Sequence, residues 1–461
     1  MKPVYIIFTL AFLHPVLMLS QDVSKEDQFA QYIKGYESIG SFSGSVLIVK
    51  NGRILLNKGY GMADYERSIP NTPETRFYLG SNSKIFTATA ILILEERGLL
   101  KTEDLIGRYV DDFPAGDKIT IHQLLTHTSG IAYELPLFRD EGANQEIWAT
   151  PRSLEEQVQM VKELTPAAEP GAKVIYSNNN YRMLAYIIEK VSGKSYGSFI
   201  ADEIFKPCGM TGSGHDGTGL KINRLAVGYF PEGLTGLTRS FKMDWSNKIG
   251  QASVYSTTGD MFKFYNAVFT RKLLNDASVK KMCTPFAKSS VGTYGYGLFV
   301  SPGDIYGFNG RSPGFASELR YYDQQDKVFI AVLSNNYSAP VLRIMNKAAS
   351  IFIRGEYRDI QIGAPVSLDS IQLDSFTGSY SGGQDFVMPN AKLEVIRKEN
   401  YLTILWKLSG GRESILIPQS ANSFLDKTFW SMLRFEKNDK GEVDRLVYIS
   451  FGKEYVALRT D

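Results

Sequence analysis

The spacing of apolar residues changes twice along the 461-residue chain. Two strand-like runs within residues 43–61 flank Asn51-Gly52, a dipeptide suited to a type I′ turn because both positions need a positive φ. From about residue 81 to residue 270 the apolar positions follow helical spacing. One such segment, residues 181–193, ends at Gly193, which is a favourable helix C-cap. The first part of the chain therefore predicts a hairpin followed by a helical region.

Strand-like runs return after the helical region, at residues 294–301, 316–323 and 327–335. Strands thus lie at both ends of this part of the chain, with helices between them. This order predicts an α+β fold, in which N-terminal and C-terminal strands close one antiparallel sheet and a helical part lies beside it.

Beyond about residue 360 the pattern becomes one of short alternating runs separated by turn residues, which is typical of a small all-β module. The runs occupy residues 391–400, 401–408, 413–420, 444–452 and 454–460. We therefore predict four segments: a signal peptide at 1–20, an α+β domain at 21–358, a linker at 359–372 and a β domain at 373–461.

The N-terminus resembles an export signal. Lys2 precedes an apolar run that ends near Ser20, is short for a membrane span and is interrupted by Pro15. We expect cleavage near Ser20 and a periplasmic or secreted protein, and an uncleaved anchor is the less favoured alternative. No later stretch of the sequence is long and apolar enough to cross a bilayer, so we expect the mature protein to be soluble.

The net charge and the cysteine and histidine content limit the kinds of partner, disulfide and metal site that we expect. The 51 basic and 49 acidic residues give a net charge of +2, so nothing favours binding to nucleic acid or an anionic membrane. Cys208 and Cys283 are compatible with one disulfide or with two buried thiols. The four histidines form no HxxxH motif, and no CxxC is present, so we predict no metal or other cofactor.

Ser81 and Lys84 open a strongly apolar helical segment, residues 78–98, and lie on one helix face. A serine hydroxyl needs a base to become a nucleophile, and a lysine can be that base only when burial lowers its pKa. The helix N-terminus also favours negative charge developing at Ser81. Ser278 and Lys281 have the same spacing, but we predict a structural role there, with Lys281 solvated.

Five segments resemble, in order, those of the β-lactamase-related serine hydrolases. They are residues 75–100, 119–131, 170–193, 250–268 and 312–315. That family includes class C β-lactamases, D-alanyl-D-alanine carboxypeptidases, D-aminopeptidases and carboxylesterases. The resemblance covers roughly residues 30 to 350 and implies a β-lactamase/transpeptidase-like fold. The C-terminal module is similar to accessory barrel domains of some members, with residues 373–380 like their opening strand.

The resemblance implies roles for four residues. Ser81 would be the acylated nucleophile and Lys84 its proton partner. Tyr176 matches the tyrosine that moves protons to the leaving group and from the deacylating water, and Asn178 matches the amide that holds the lysine and the substrate carbonyl. Which of Lys84 and Tyr176 acts as the base stays open, so the two are assigned as a pair.

The family has three catalytic motifs, which here correspond to Ser81 with Lys84, to Tyr176 with Asn178, and to residues 308–310. The third of these motifs departs from the family pattern. Many members have a cation where this chain has Phe308, followed by Asn309 and Gly310. Gly310 still permits close backbone approach, and the N–H of Arg311 is predicted to form an oxyanion hole with that of Ser81. The Arg311 side chain should point to the opposite strand face. The missing cation argues against a penicillin-specific or peptidoglycan-specific enzyme.

The favoured interpretation is an exported serine hydrolase acting on ester, amide or small peptide substrates. The alternatives are a class C-like β-lactamase or carboxypeptidase, and a non-catalytic binding protein on the same scaffold. His122 and His127 are interpreted as structural, and Ser256 or Thr257 as the cap of a helix with Asp260 in its first turn. Residues 132–149 and 215–236 are expected to form cleft walls. The oligomeric state is left open.

Overall fold

The computed structural model describes residues 24–138, 145–215, 222–324, 326–353, 362–363, 365–407, 412–450 and 452–461. The predicted signal segment, and the beginning of the predicted linker, lie outside these residues. None of the helices within the described ranges combines the length and apolar character that a bilayer span requires.

An eight-stranded antiparallel sheet forms the centre of the first domain. The strand Gly44–Lys50 pairs with Val328–Ser334, so N-terminal and C-terminal strands do close the sheet and the α+β prediction is confirmed. Asn51 and Gly52 both have positive φ values, of 49° and 75°, as the predicted hairpin turn requires. In sheet order the strands are Ala287–Lys288, Thr293–Tyr294, Phe299–Ser301, Ile305–Ser312, Phe315–Tyr322, Val328–Ser334, Gly44–Lys50 and Arg53–Tyr60.

Helices cover both faces of this sheet. Lys25–Ser38 and Val341–Phe352 pack on one face, where residues such as Phe29 and Ile344 are fully buried. The other face carries the predicted helical region and the largest apolar core. Its helices are Lys84–Glu96, Ile121–Leu125, Gln145–Ala149, Leu154–Lys162, Asn178–Ser192, Tyr196–Ile200, a π-helical turn at Ala201–Phe205, Lys206–Cys208, Thr258–Phe269 and Asp276–Met282.

Short elements complete the first domain. The 3₁₀ turns are Gly80–Ser83, Ile106–Arg108, Pro136–Phe138 and Trp245–Lys248. The short strands are Met62–Asp64 with Ile69–Pro70, Phe77–Tyr78 and Gly214–His215 on either side of Val254–Ser256, and Tyr229–Glu232 with Gly236–Arg239. Cys208 and Cys283 are unpaired, which excludes the predicted alternative of one disulfide.

Two helices carry the candidate chemistry. The nucleophile helix, Lys84–Glu96, is buried on nearly every side, which explains its almost continuous apolar sequence. The second helix, Asn178–Ser192, follows directly after Tyr176 and is called the tyrosine helix. Ser177 is its N-cap, and the Ser177 hydroxyl accepts a hydrogen bond from the backbone N–H of Asn180. The tyrosine helix ends at Gly193 with φ 69°, in agreement with the predicted C-cap.

A closed eight-stranded barrel forms the C-terminal module and confirms the predicted all-β character. Residues 373–380 were predicted to open it as a strand, but the first half of this segment is helical and the opening strand begins only at Gly378. Asp369 and Gln372 form a capping box that starts the helix Ser370–Phe376. The strands are Gly378–Gly382, Lys392–Lys398, Tyr401–Trp406, Arg412–Pro418, Ser423–Asp426, Met432–Lys437, Val443–Ser450 and Lys453–Arg459.

The barrel packs against the first domain through a shared apolar core. Trp430 of the barrel packs edge-on against Tyr36, with ring centroids 5.3 Å apart. Its indole N–H donates to the backbone oxygen of Ser338 over 2.8 Å, and Lys427 donates to that of Leu234 over 3.0 Å.

Candidate active site

Ser81 lies in the 3₁₀ turn Gly80–Ser83, which leads directly into the nucleophile helix. The structure brings the predicted trio together: the Ser81 Oγ is 2.7 Å from the Tyr176 hydroxyl and 3.1 Å from the Lys84 Nζ. The Lys84 Nζ also lies 2.9 Å from the Asn178 Oδ1. Two segments that lie 95 residues apart in sequence therefore converge around the Ser81 hydroxyl.

Lys84 is fully buried, and its amine has only three polar neighbours among the hydrogen bonds described. Burial lowers its pKa well below the ordinary lysine value; the nearby cations Lys248 and Arg182 act in the same direction, and Glu134 acts against it. A neutral amine has two N–H groups and one lone pair. The carbonyl oxygens of Asn178 and Gln251 can take the two N–H groups, which leaves the lone pair facing the Ser81 hydroxyl.

Tyr176 is held in its phenol form. Burial raises its pKa well above 10, against the opposing effect of its hydrogen bond with Ser81. The ring lies 4.6 Å from that of His127, whose Nδ1 accepts a hydrogen bond from the Ser177 backbone over 3.1 Å. Burial lowers the pKa of His127 well below 6.5. His127 therefore supports the tyrosine as a neutral ring and makes no described hydrogen bond to Ser81.

The third-motif strand, Ile305–Ser312, runs beside the nucleophile turn. A methyl group added to Gly310 would lie 2.0 Å from the Leu79 oxygen and 2.9 Å from the Ser81 nitrogen. One added to Gly80 would lie 2.6 Å from the Arg311 nitrogen. Both glycines are therefore needed for the close approach of the two backbones around Ser81 and Arg311.

Side chains of the third-motif strand alternate between its faces. Phe308 is buried beside the site, 4.4 Å from the Phe299 ring and 6.5 Å from that of Tyr176. Asn309 is exposed and is paired across the sheet with Glu318. The Arg311 guanidinium donates to the backbone oxygens of Tyr337 and Ala339. The motif thus presents an aromatic ring to the site, and the Arg311 cation is held by backbone carbonyls.

Sequence reasoning missed a buried charge cluster behind Asn178. Glu134, Arg182 and Lys248 are all buried there, and Gln251 offers its backbone oxygen to Lys84. Glu134 comes from the 132–149 segment, which was predicted only as a cleft wall. A signal was present, because Arg182 is the one charged residue in the otherwise apolar run 181–188, and buried charges are rare unless they are paired.

The second serine–lysine pair lies elsewhere and serves a structural role. Lys281 was predicted to be solvated, but its ammonium lies 2.9 Å from Glu95 and 3.3 Å from Glu103. These ion pairs hold the helix Asp276–Met282 against the nucleophile helix. His122 is similarly engaged, with its Nδ1 2.7 Å from the Tyr296 hydroxyl. Among the residues that the structure describes, no group of His, Cys, Asp and Glu side chains could hold a metal ion.

Comparison with known proteins identifies relatives of this architecture. The family model described as Beta-lactamase matches residues 29–350. The putative penicillin-binding protein PbpX of Bacillus subtilis is 39% identical over 315 residues, which cover 68% of this chain and 74% of that protein. Penicillin-binding protein 4* of the same organism is 28% identical over 447 residues, covering 92% and 97%. The D-amino acid amidase from Ochrobactrum anthropi SV3 shares the fold, with a TM-score of 0.64 and 21% identity over 71% of this chain and 98% of that chain.

Proposed function

This chain belongs to the β-lactamase family of serine hydrolases, and on that basis we propose that it hydrolyses its substrate through an acyl-enzyme on Ser81. One observation carries the proposal: the Ser81 hydroxyl lies between a phenol at 2.7 Å and a buried amine at 3.1 Å. In this arrangement the Tyr176 hydroxyl donates to the Ser81 oxygen, and the Ser81 hydroxyl donates to the lone pair of Lys84.

Acylation begins when the Ser81 Oγ attacks the substrate carbonyl carbon and passes its proton to the Lys84 Nζ. The carbonyl oxygen becomes an oxyanion facing the N–H groups of Ser81 and Arg311. The bond to the leaving group then breaks, and the leaving group takes a proton from the Tyr176 hydroxyl, which is replenished from the Lys84 ammonium. Deacylation repeats these steps with water as the nucleophile: Lys84 receives the proton of water, and Ser81 regains its own proton as the acid departs.

The aromatic third motif supports neutral, apolar substrates. Phe308 lies where many family members have a cation, and the rings of Phe299 and Tyr176 lie next to it. An aromatic wall favours an apolar acyl group and offers no partner for a substrate carboxylate. We therefore favour esters, amides and small peptides that are not held through a carboxylate, with export through residues 1–20 as part of the same proposal.

A second candidate is a penicillin-binding carboxypeptidase or class C-like β-lactamase. The names of the two Bacillus subtilis relatives support it, since both are called penicillin-binding proteins and one is 39% identical to this chain. Rapid hydrolysis of a chromogenic cephalosporin, with slow turnover of simple esters, would favour this candidate over an esterase or amidase.

The test combines active-site labelling with a substrate panel. A fluorophosphonate probe should label Ser81 in the wild-type protein and leave Ser81→Ala unlabelled. Ser278→Ala, which removes the serine of the other serine–lysine pair, should be labelled like the wild type. The panel contains p-nitrophenyl esters, D-amino acid anilides and the cephalosporin. No labelling of the folded wild-type protein would contradict an acyl-enzyme and support the non-catalytic binding protein.

A further inference from the structure

A buried ionic cluster lies directly behind the proposed catalytic lysine. The Oε1 of Glu134 is 3.1 Å from the Arg182 guanidinium, and its Oε2 is 3.6 Å from the Lys248 ammonium. The same Oε2 accepts a hydrogen bond from the Asn178 Nδ2 over 3.0 Å. Glu134 is thus joined to the candidate active site through the side chain of Asn178.

This contact decides which way the Asn178 amide points. An ionised carboxylate can only accept hydrogen bonds, so the Nδ2 of Asn178 must face Glu134 and the Oδ1 must face Lys84. Arg182 and Lys248 hold the pKa of Glu134 below its ordinary value although burial alone would raise it, so the carboxylate stays ionised. With the reverse amide orientation, an N–H group would point at the Lys84 lone pair and compete with Ser81.

The charges around the cluster favour an uncharged amine. With Lys84 neutral, the two cations exceed the single anion by one charge, and protonation of Lys84 would add a third cation to a buried region. Lys248 is itself fixed in place, with its ammonium 4.6 Å from the centre of the Trp148 ring. The titratable and charged groups facing Lys84 are Tyr176, Tyr181, His127, Glu134, Arg182 and Lys248.

We propose that Glu134 and Lys248 are positioning residues of the reaction: Glu134 fixes the Asn178 amide with its oxygen toward Lys84, and Lys248 keeps the Lys84 amine uncharged. The inference rests on the proposed function. Glu134 and Lys248 form one ion pair but have different roles. Loss of the first role should lower the plateau of the pH–rate profile, and loss of the second should shift its acidic limb.

The experiment measures kcat/KM for a p-nitrophenyl ester from about pH 5 to about pH 10. Lys248→Met removes one cation and keeps an apolar chain of similar length beside Trp148. It should move the acidic limb of the profile up by about one pH unit, with a plateau near that of the wild type. Lys248→Arg keeps the charge and should return the limb toward its wild-type position.

Glu134→Gln should give a different result. Its amide can donate or accept, so Asn178 is no longer fixed, and the plateau should fall about ten- to hundredfold. The acidic limb should not move up, because the loss of a negative charge cannot favour an ammonium at Lys84. Lys190→Met and Glu155→Gln, which alter the two members of one exposed ion pair, should leave both the plateau and the limb unchanged.

The outcomes separate this inference from the proposed function. If Ser81 is not labelled in the wild type, the proposed function fails and the inference fails with it. If the wild type is active but Lys248→Met keeps the wild-type limb, the inference alone is overturned. The inference is likewise overturned if the plateau value of kcat/KM falls in both Lys248→Met and Glu134→Gln in parallel with the melting temperature. Glu134 and Lys248 would then have a purely structural role. If Glu134→Gln does not fold, the comparison of Lys248→Met with Lys248→Arg decides.

Discussion

Lys84 illustrates how the surroundings of a residue can change its chemistry. Its amine is fully buried, faces two carbonyl oxygens and has the cations Arg182 and Lys248 nearby. In water the same amine would be an ammonium and could accept no proton. Tyr176 shows the opposite effect of burial, because an acid that loses solvent keeps its proton. The candidate site therefore pairs a neutral base with a neutral acid around one hydroxyl group.

The lowered pKa of Lys84 and the raised pKa of Tyr176 together predict how kcat/KM depends on pH. Activity requires the amine form of Lys84, so kcat/KM should fall as the pH drops through the lowered pKa of this group. It also requires the phenol form of Tyr176, so no alkaline fall should occur below about pH 10. Lys84→Ala and Tyr176→Phe should each lose about 10²- to 10⁴-fold in kcat/KM. A wild-type profile that begins to rise only near pH 10 would show that Lys84 is charged, and would contradict the mechanism.

Sequence alone brought Ser81, Lys84, Tyr176 and Asn178 into one hypothesis through spacing and family resemblance. It could not find Glu134, because the contact of Glu134 with Asn178 joins segments 44 residues apart. No local periodicity reports such a contact. The orientation of Asn178, and with it the direction of the Lys84 lone pair, is therefore a property of the folded chain only.

At the scale of elements, the third-motif strand and the nucleophile turn act as one unit. Their backbones approach closely at Gly310 and Gly80, and the proposed oxyanion hole depends on that contact. The Asn51-Gly52 hairpin, the two strands near residues 316–323 and 327–335, and the tyrosine helix were predictable, because each has a recognisable apolar pattern with a turn or cap residue beside it. The helix Ser370–Phe376 was missed because its capping box lies in a segment that looked like a linker and an opening strand.

Gly310→Ala should separate these two backbones. The added methyl group would lie 2.0 Å from the Leu79 oxygen, so the strand must shift away from Ser81. We expect kcat to fall about 10²- to 10³-fold, as for loss of an oxyanion-hole donor. Gly259→Ala is the matched control, because a methyl group there meets only the Thr257 hydroxyl at 3.9 Å. Comparable activity of both variants would show that the two N–H groups do not form an oxyanion hole.

Glu318, on the neighbouring strand Phe315–Tyr322, predicts a pH-dependent stability. Burial raises its pKa to about 7, against the opposing charges of Arg320 and Arg311. Between about pH 4.5 and about pH 7 the folded protein holds a proton on Glu318 that the unfolded chain releases. The stability contributed by this protonated carboxyl group is therefore fully present below about pH 4.5 and is lost as the pH rises through about 7. Glu318→Gln should raise the free energy of unfolding by about 1–3 kcal/mol at about pH 8, and by much less at about pH 5.

Denaturant unfolding at the two pH values measures this difference for Glu318→Gln. Glu394→Gln, which alters an exposed ion pair with Lys407 on the barrel, is the control and should change little at either pH. An equal effect of Glu318→Gln at both pH values would mean that the carboxyl group does not titrate between them.

At the scale of the whole molecule, hydrogen bonds to the backbone of residues 337–339 connect the barrel with the candidate site. Trp430 holds the Ser338 oxygen, and the oxygens of Tyr337 and Ala339 on either side hold the Arg311 guanidinium. Arg311 in turn supplies one N–H of the proposed oxyanion hole. The sequence predicted the barrel but not this connection, because strand periodicity gives an element without saying which surface it packs on.

Removing the Trp430 side chain should therefore affect both stability and catalysis. Trp430→Ala deletes a buried ring packed against Tyr36 and should lower the free energy of unfolding by about 3–5 kcal/mol. Trp430→Phe keeps most of the packing but loses the N–H, so it should cost about 1 kcal/mol from the hydrogen bond to Ser338. Thermal unfolding and kcat, measured on the full chain well below the melting temperature, test both variants.

The informative variant is Trp430→Phe, because it changes one hydrogen bond some distance from the reacting atoms. If the segment at residues 337–339 transmits the position of the barrel to Arg311, kcat should fall while KM changes little, since an oxyanion is stabilised mainly in the transition state. Thr428→Ala changes a neighbouring barrel side chain without touching the Ser338 contact, and should leave kcat unchanged. Unaltered kcat in Trp430→Phe, despite a lower melting temperature, would show that the barrel stabilises the first domain without positioning its oxyanion hole.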